Sequence, residues 1–567
     1  MNSVLVALSA FIGFILAYRF YGRFLSRRIF GIDPARLTPA HEFEDGIDFV
    51  PSKKHILFGH HFTSIAGAAP IVGPAIAVIW GWLPALLWVV LGSIFMGAVH
   101  DFGALVVSAR HKGKSIGEVT RELIGPRART LFLLLIFFAL LIVIAVFGLV
   151  IAVLFKSYPA TVIPIWFEVP IAITLGFYIY RRSGNTLLAS IIAVSLMYLF
   201  VYIGTIIPIK IPAFIMGNEI LTWVVILLVY AYIASILPVW VLLQPRDYIN
   251  SHQLFVGLGL MYLGLFIARP EMVAPAINQN PAGAPMLIPF LFITIACGAI
   301  SGFHSLVSSG TTVKQIDNEK DMRAIGYGAM LWEGVLATMA ILACTAGFAS
   351  TAAWNKHYAS WNTAKGLGAK VGAFVEGGAS FLSALGFSHT LGAAIVAVLV
   401  ISFAATTLDS ATRIQRYVVA ELAEDYGFNL LRNRHPATMV AVISAFLLSM
   451  INGGKGGLIM WPLFGTVNQL LAGLALLAIT MYLVRLKKPV YYTLLPMIFI
   501  LTMTGWAMLI NLWRFISKGD WLLVTLGACI FILEIWLVLE AVVVLKSLRM
   551  ETETTEGVDI YPLREEE

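Results

Sequence analysis

Several ionisable side chains lie inside apolar runs long enough to cross a bilayer: His60, His61, Asp101, His304, Glu333 and Asp409. A charge held at bilayer depth is costly, so such residues face a cavity or a partner and by default mark ion or proton paths. Ser93, Gly97, Asp101 and Ser108 recur at helical spacings and form one small, polar face that should point into a helix bundle. Glu333 is flanked on its own face by Gly326, Ala329, Ala337 and Ala340. Two readings stand for both carboxylates, namely a buried pair kept for packing specificity or a proton carrier. His304 belongs to CGAISGFHSLVSSGTT, residues 297 to 312, where Ser305, Ser308, Thr311 and Thr312 add hydroxyls. Hydroxyls suit Na⁺ or a polar substrate, and small residues also let helices pack closely.

His60 and His61 invite a metal reading. Neighbours on a helix project about 100° apart, and no cysteine or spaced carboxylate joins them, so no metal is expected. They should instead face a cytoplasmic vestibule. Asp409, in TTLDSATRIQR, has Arg413 one turn later, the spacing of a helix-end ion pair or gate. Cys297, Cys344 and Cys529 are far apart in apolar runs and read as small core residues, outside any disulfide framework or metal knuckle.

Helices must position these groups. With 59% hydrophobic and only 12% charged residues, the chain is an all-α polytopic membrane protein. At about 20 apolar residues per crossing there are about fifteen spans, near 2–19, 61–80, 82–109, 130–155, 164–180, 185–207, 220–243, 253–268, 286–310, 324–350, 389–408, 437–451, 458–484, 491–513 and 521–545. The net charge of +7 comes from basic clusters between these runs, such as Arg19 to Lys54 and Arg110 to Arg129. Such clusters set topology and do not imply nucleic acid. Both fall on the cytoplasmic side when the N-terminus is outside and the C-terminus inside. The first run lacks the basic n-region and cleavage site of a signal peptide, so it should be retained. The tail, within 547–567, is acidic and solvated.

One span should not be a span. Residues 58 to 81 contain Gly67, Pro70, Gly73 and Pro74, and a membrane helix that gives up backbone bonds needs protein, water or a solute to replace them. A second interruption at Ala234-Ser235-Ile236-Leu237-Pro238 lies in 220–243. Because the second break opens the fifth span after the first, the chain reads as an inverted repeat of two five-helix units, 58–210 and 211–410. Residues 1–57 precede them, a linker occupies 411–436, and further spans fill 437–546. Each proline alone is either a kink or a site.

The expected function is secondary active symport of a small solute carrying a carboxylate, bound at the breaks by free amides of half-helix N-termini. Thr63, Ser64, Gly67, Pro70, Pro238, Trp240, His304 and Ser305 are the candidate lining residues. Asp101, Glu333 or His304 would carry the proton. Ser308, Thr311 and Thr312 could instead complete a Na⁺ site with carbonyls of the first broken helix. Asp409 and Arg413 would gate. No GxxxxGK[ST] motif supports ATP as the energy source, and no nucleophile–base pair supports an enzyme. The rival reading is a nutrient sensor that binds such a ligand without moving it. No cofactor is expected, and oligomeric state is not legible.

The stretch GHHFTSIAGAAPIVGPAIAVIWGWLPALLWVVLGSIFMGAVHDFGALVVSARHKGKSIGEV, residues 59–119, resembles the carbon starvation protein CstA family. So do LPVWVLLQPRDYINS (237–251), SGFHSLVSSGTTVKQI (301–316) and FAATTLDSATRIQRYVVAEL (403–422). The resemblance implies an inner-membrane importer of peptides or of pyruvate, the latter taken up with protons, induced when carbon is scarce. It also implies a distant LeuT-like relative of the amino-acid/polyamine/organocation superfamily, in line with the five-plus-five repeat.

Overall fold

The computed structural model describes residues 2–182, 186–454 and 456–556; the acidic tail from 557 lies outside them. Among the described residues the regular secondary structure is helical apart from two isolated bridges. Thirteen helices are long and apolar enough to cross a membrane, or up to 14 with one bent pair, and a second broken segment joins them. The helices are α1 (Ser3–Ile29), the bent pair α2 (Lys54–Ile65) and α3 (Ala69–Trp80), and α4 (Trp82–Arg110). Next come α5 (Pro126–Ser157), α6 (Val162–Arg182), α7 (Thr186–Ile206), α8 (Glu219–Ile236) and α9 (Leu243–Ala268). The second broken segment is α10 (Leu287–Thr294) and α11 (Gly302–Gly310), followed by α12 (Glu319–Ala346). The remainder are α13 (Leu367–Ser383), α14 (His389–Asp425), α15 (Arg434–Gly454), α16 (Gly456–Arg485), α17 (Tyr491–Lys518) and α18 (Trp521–Glu556).

The first break follows from its sequence. Ala66 leaves helical geometry (ψ 54°), and Pro70 stands in the first turn of α3, where its missing amide costs nothing. The two halves meet at 45°. The second break runs from Ile295 (ψ 73°) through Gly298, at φ +92°, to the extended Ser301. A side chain at Gly298 would be strained in that conformation. The breaks touch, since a Cβ at Gly73 would lie 2.5 Å from the carbonyl oxygen of Thr294 and 3.3 Å from the Ile295 Cα. Both obstacles are backbone, so Gly73→Ala must push the broken segments apart. A loss of about 1–3 kcal/mol is expected, read as a lower melting temperature of the purified protein; an unchanged value would mean the segments are not in contact.

The packing corrects the expected mirror partner. α8 ends at Ile236, and Pro238 stands in the turn before α9, so the span near 220–243 stops where a break was expected. Packing pairs the 66–68 break with the one at 295–301 instead. α2 runs along α9 as α11 runs along α16, α3 packs on α12 as α11 packs on α4, and α5 crosses α14 at the centre. α8 and α15 lie side by side, each touching both α5 and α14. α17 and α18 flank α16. Cys297 and Cys344 are buried as expected, whereas Cys529 is exposed on α18.

Candidate functional site

The small polar face of α4 turns onto the second break. Ser93 donates to the Gly298 carbonyl (2.8 Å), a Cβ at Gly97 would meet the Ala299 carbonyl at 2.3 Å, and Asp101 reaches His304. His304, in the first turns of α11, places Nδ1 2.9 Å from Asp101 Oδ2 and Nε2 3.4 Å from Glu333 Oε2. His100 Nδ1 lies 2.7 Å from the other Asp101 oxygen. Four side chains thus form a chain, His100–Asp101–His304–Glu333, with every member fully buried. Neither Glu333 oxygen has a hydrogen-bond partner among the described residues, nor have the Nε2 atoms of His304 and His100. Two buried carboxylates flanking one imidazole reach neutrality only when protons are shared along the chain, and an uncompensated buried charge is strongly penalised.

A second buried cluster centres on Arg246 in the first turn of α9. Its guanidinium reaches Glu168 of α6 (2.5 Å), Asp409 of α14 (2.5 Å) and the Tyr230 hydroxyl (2.7 Å). Tyr230 donates to Asp409 (2.9 Å), and Asn250 and Ser402 donate to Glu168 (2.7 and 3.1 Å). Arginine suits this place because its rigid fork serves several acceptors at once.

α2 reaches the second cluster through His60 and the end of α11 through His61. His60 Nδ1 lies 2.5 Å from Asp247, beside Arg246, while His61 Nδ1 lies 2.8 Å from the Thr312 hydroxyl. The 100° between adjacent helix positions sends the two rings to different neighbours. Both are fully buried, not exposed to a vestibule. Ser64 donates to Asp247 (3.2 Å) and bonds Ser410 (3.0 Å), so this end of the broken helix is tied to α14.

The expected lining residues separate into two groups. Thr63, Ser64, Gly67 and Pro70 sit at the first break, and His304 and Ser305 at the second, all buried. A Cβ at Gly67 would meet the Thr407 hydroxyl at 2.5 Å, and Pro70 borders Gly298. Pro238 and Trp240 lie elsewhere, in the α8–α9 turn, where Trp240 packs edge-on against Phe177 at 5.5 Å. Thr406 and Thr407 of α14 donate to the Thr63 and Ser64 carbonyls (2.9 and 3.3 Å). Thr311 bonds its own helix and Thr312 bonds His61, while the Ser308 hydroxyl is without a partner among the described residues. Asp409 and Arg413 do not pair with each other, because Asp409 turns to Arg246 and Arg413 to Asp48.

Asp48, in the linker between α1 and α2, closes the end of the bundle that carries the basic clusters. It accepts from Arg413 (2.9 Å), Arg416 (3.2 Å) and the Tyr417 hydroxyl (2.7 Å). The same arginines reach carbonyls at the end of α8. Burial opposes ionisation of Asp48, yet Arg413, Arg416, Lys314 and Tyr417 together hold its carboxyl below the ordinary 3.8. A depressed carboxylate contributes stability that is complete above its unfolded pKa and is lost as pH falls through the folded one. The melting-temperature gap between wild type and Asp48→Asn should therefore stay constant from about pH 5 to 8 and shrink only below about pH 4. A gap that varies near neutrality would assign the latch a different charge state.

At the opposite end a cavity of about 500 Å³ opens between the breaks, α13, α16 and α17, reaching inward to Gly73, Thr294 and Cys297. Lys365, Lys370, Arg514 and Lys518 give it a basic wall. Lys370 is 5% exposed, and its ammonium stands 4.8 Å over the Trp461 ring. Cys297 Sγ, one His304 nitrogen and one Glu333 oxygen lie within 4.8 Å of one another, a set that could hold a divalent ion as well as a proton. Sequence reasoning missed Arg246 and Asp247, placed before the short span expected at 253–268, and Glu168, whose lone carboxylate in VIPIWFEVPIAITL was the available signal. Asp48 lies in the linker before α2 and Lys370 on α13, both between the expected spans, where no such signal is available.

The family model described as carbon starvation protein CstA matches residues 2–359 and 347–507. The peptide transporter CstA of Campylobacter jejuni is 35% identical over 570 residues, covering 89% of this chain and 79% of that protein. The pyruvate/proton symporter BtsT of Escherichia coli is 33% identical over 87% of this chain and 80% of its own length. Among solved structures, a manganese transporter from Eremococcus coleocola aligns with a TM-score of 0.52 at 12% identity, over 88% of this chain and 98% of that one. That last likeness is one of fold, a LeuT-like five-plus-five helical repeat with flanking helices.

Proposed function

The chain belongs to the carbon starvation protein CstA family, and from that premise we propose that it is a proton-coupled importer of small solutes bearing a carboxylate, peptides or pyruvate. Its relatives and its fold are those of transporters. The observation that carries the finer reading is the contact between cavity and relay. Cys297 lines the basic cavity and also stands beside the ring of His304 and the carboxylate of Glu333.

A carboxylate entering the cavity meets Lys370, then the N-terminal end of α3, whose partial positive charge favours an anion. Protonation of the His304 chain neutralises the buried carboxylates beneath it and lets α2, tied through His60 to Asp247 and through His61 to Thr312 just after α11, change its packing. We assign the two repeats to α2–α3, α4, α5, α8 and α9 and to α10–α11, α12, α14, α15 and α16, with α6 and α7 as an inserted hairpin. The basic end faces the cytoplasm of a bacterial or archaeal cell, so the latch at Asp48 is shut while the cavity faces outward. Synthesis induced by carbon scarcity fits the same reading.

Lys370→Met tests the entry step. Removing one buried cation that pairs with a substrate carboxylate should raise KM for pyruvate or a dipeptide about 10- to 100-fold, at about 1.5–3 kcal/mol for a charged hydrogen bond, with little change in maximal rate. A KM that stays put would place carboxylate recognition elsewhere.

A further inference from the structure

We propose that a groove on the outer face of the bundle, between α1, α9 and α12, binds one anionic phospholipid. The groove encloses about 1100 Å³, beyond the roughly 300–1,000 Å³ of ordinary small-molecule pockets. Its walls are apolar and aromatic, with Phe11, Phe255 and Trp332 among them, and one end is lined by Arg19, Arg23, Arg27 and Arg323. No ion pair reaches any of these four arginines among the described residues.

The arrangement is built, not incidental to a basic segment. Residues four apart on a regular helix drift by about 40° per step, which would fan Arg19, Arg23 and Arg27 around α1. Two π-helical turns, Ala17–Tyr21 and Leu25–Ile29, under-wind the helix there. All three side chains therefore face the groove, and Arg323 joins them from α12, stacked 5.0 Å over Tyr18 of α1. Arginines that only set topology need no common direction and no fourth member from a distant part of the chain.

The dimensions fit a lipid in one leaflet. At 1.5 Å per residue, Phe11 lies about 12 Å deeper along α1 than Arg19, close to the roughly 15 Å half-thickness of the hydrocarbon core. The headgroup phosphate would sit among the arginines, as in other basic pockets between membrane helices, and the acyl chains would lie along Phe11, Phe255 and Trp332. Phe58 of α2 also borders the groove, so the lipid would press on the half-helix that carries His60 and His61. An occupied groove braces α2, and an empty one leaves room for it to move.

Native mass spectrometry of the full-length protein, with phosphatidylglycerol competing against phosphatidylcholine, tests this directly. One phosphatidylglycerol should be retained in preference, and it should raise the melting temperature where phosphatidylcholine does not. Arg19→Gln/Arg23→Gln/Arg27→Gln should weaken retention on the order of 100-fold, while Lys487→Gln/Lys488→Gln, equal in kind but remote, should leave it intact. Equal retention of both lipids by the wild type would overturn the proposal whether or not the triple variant folds. So would displacement of the lipid by soluble glycerol phosphate, which would reduce the site to a headgroup pocket.

Discussion

Asp101→Asn should abolish gradient-driven accumulation of substrate while leaving substrate exchange across the membrane in place. Asparagine keeps the size of aspartate, so the packing of α4 against α11 is preserved. What disappears is the charge that accepts from His100 at 2.7 Å and from His304 at 2.9 Å. Removing one partner from a buried ionic pair costs about 3–5 kcal/mol. If that loss falls on the proton-loaded state of His304, concentrative uptake drops on the order of 100-fold or more. Exchange needs no net proton movement and should persist. Glu333→Gln should behave alike, because it removes the other carboxylate facing His304. Accumulation at the wild-type level in either variant would take that residue out of the coupling mechanism.

Arg246→Gln has the second large expected effect, and on the fold itself. The change strands Glu168 and Asp409 in a fully buried setting, each less than 2% exposed, with only Tyr230, Asn250 and Ser402 left as donors. Those neutral donors do not replace a cation, and the expected loss is again about 3–5 kcal/mol, enough to unfold a marginally stable domain. Arg246→Lys should rescue only in part, since an ammonium cannot present two parallel donors to two carboxylates. Arg246→Met combined with Glu168→Gln and Asp409→Asn should recover a monodisperse protein, as neutral replacements of buried ion networks often do. Fluorescence-detected size exclusion together with thermal unfolding reads all three. If Arg246→Gln melts with the wild type, the cluster does not hold α6, α9 and α14 together.

Both predictions rest on groups that the sequence exposes unequally. Asp101, His304 and Glu333 stand out because each is a titratable residue in an apolar run, and their small-residue faces already point them inward. That they touch one another is tertiary information, supplied by a second break whose glycines and serines also read as ordinary close packing. Pro238 misled because a proline near a span's end has the same signature as one in its middle, and the helix simply stops before it. His60 and His61 carry the right direction, two rings facing apart, but burial cannot be inferred from two polar residues beside a loop. Arg246 hid at a helix start placed too late, because its charged first turn lowers the local hydropathy although the backbone is already helical at Leu243. Asp48 in its linker and Lys370 on α13 lie between the expected spans, where only the folded chain decides which charge meets which.

Proton coupling at the His304 chain is the central claim, and one measurement bears on it most directly. Purified protein is reconstituted in liposomes loaded with a pH-sensitive dye, and labelled pyruvate or a dipeptide is supplied outside under an imposed gradient, acid outside. The account predicts uphill uptake that collapses with a protonophore, a matching acidification of the lumen started by substrate, and loss of both signals together in Asp101→Asn. Substrate accumulation that proceeds without luminal acidification, or that a Na⁺ gradient alone sustains at equal pH, would contradict it.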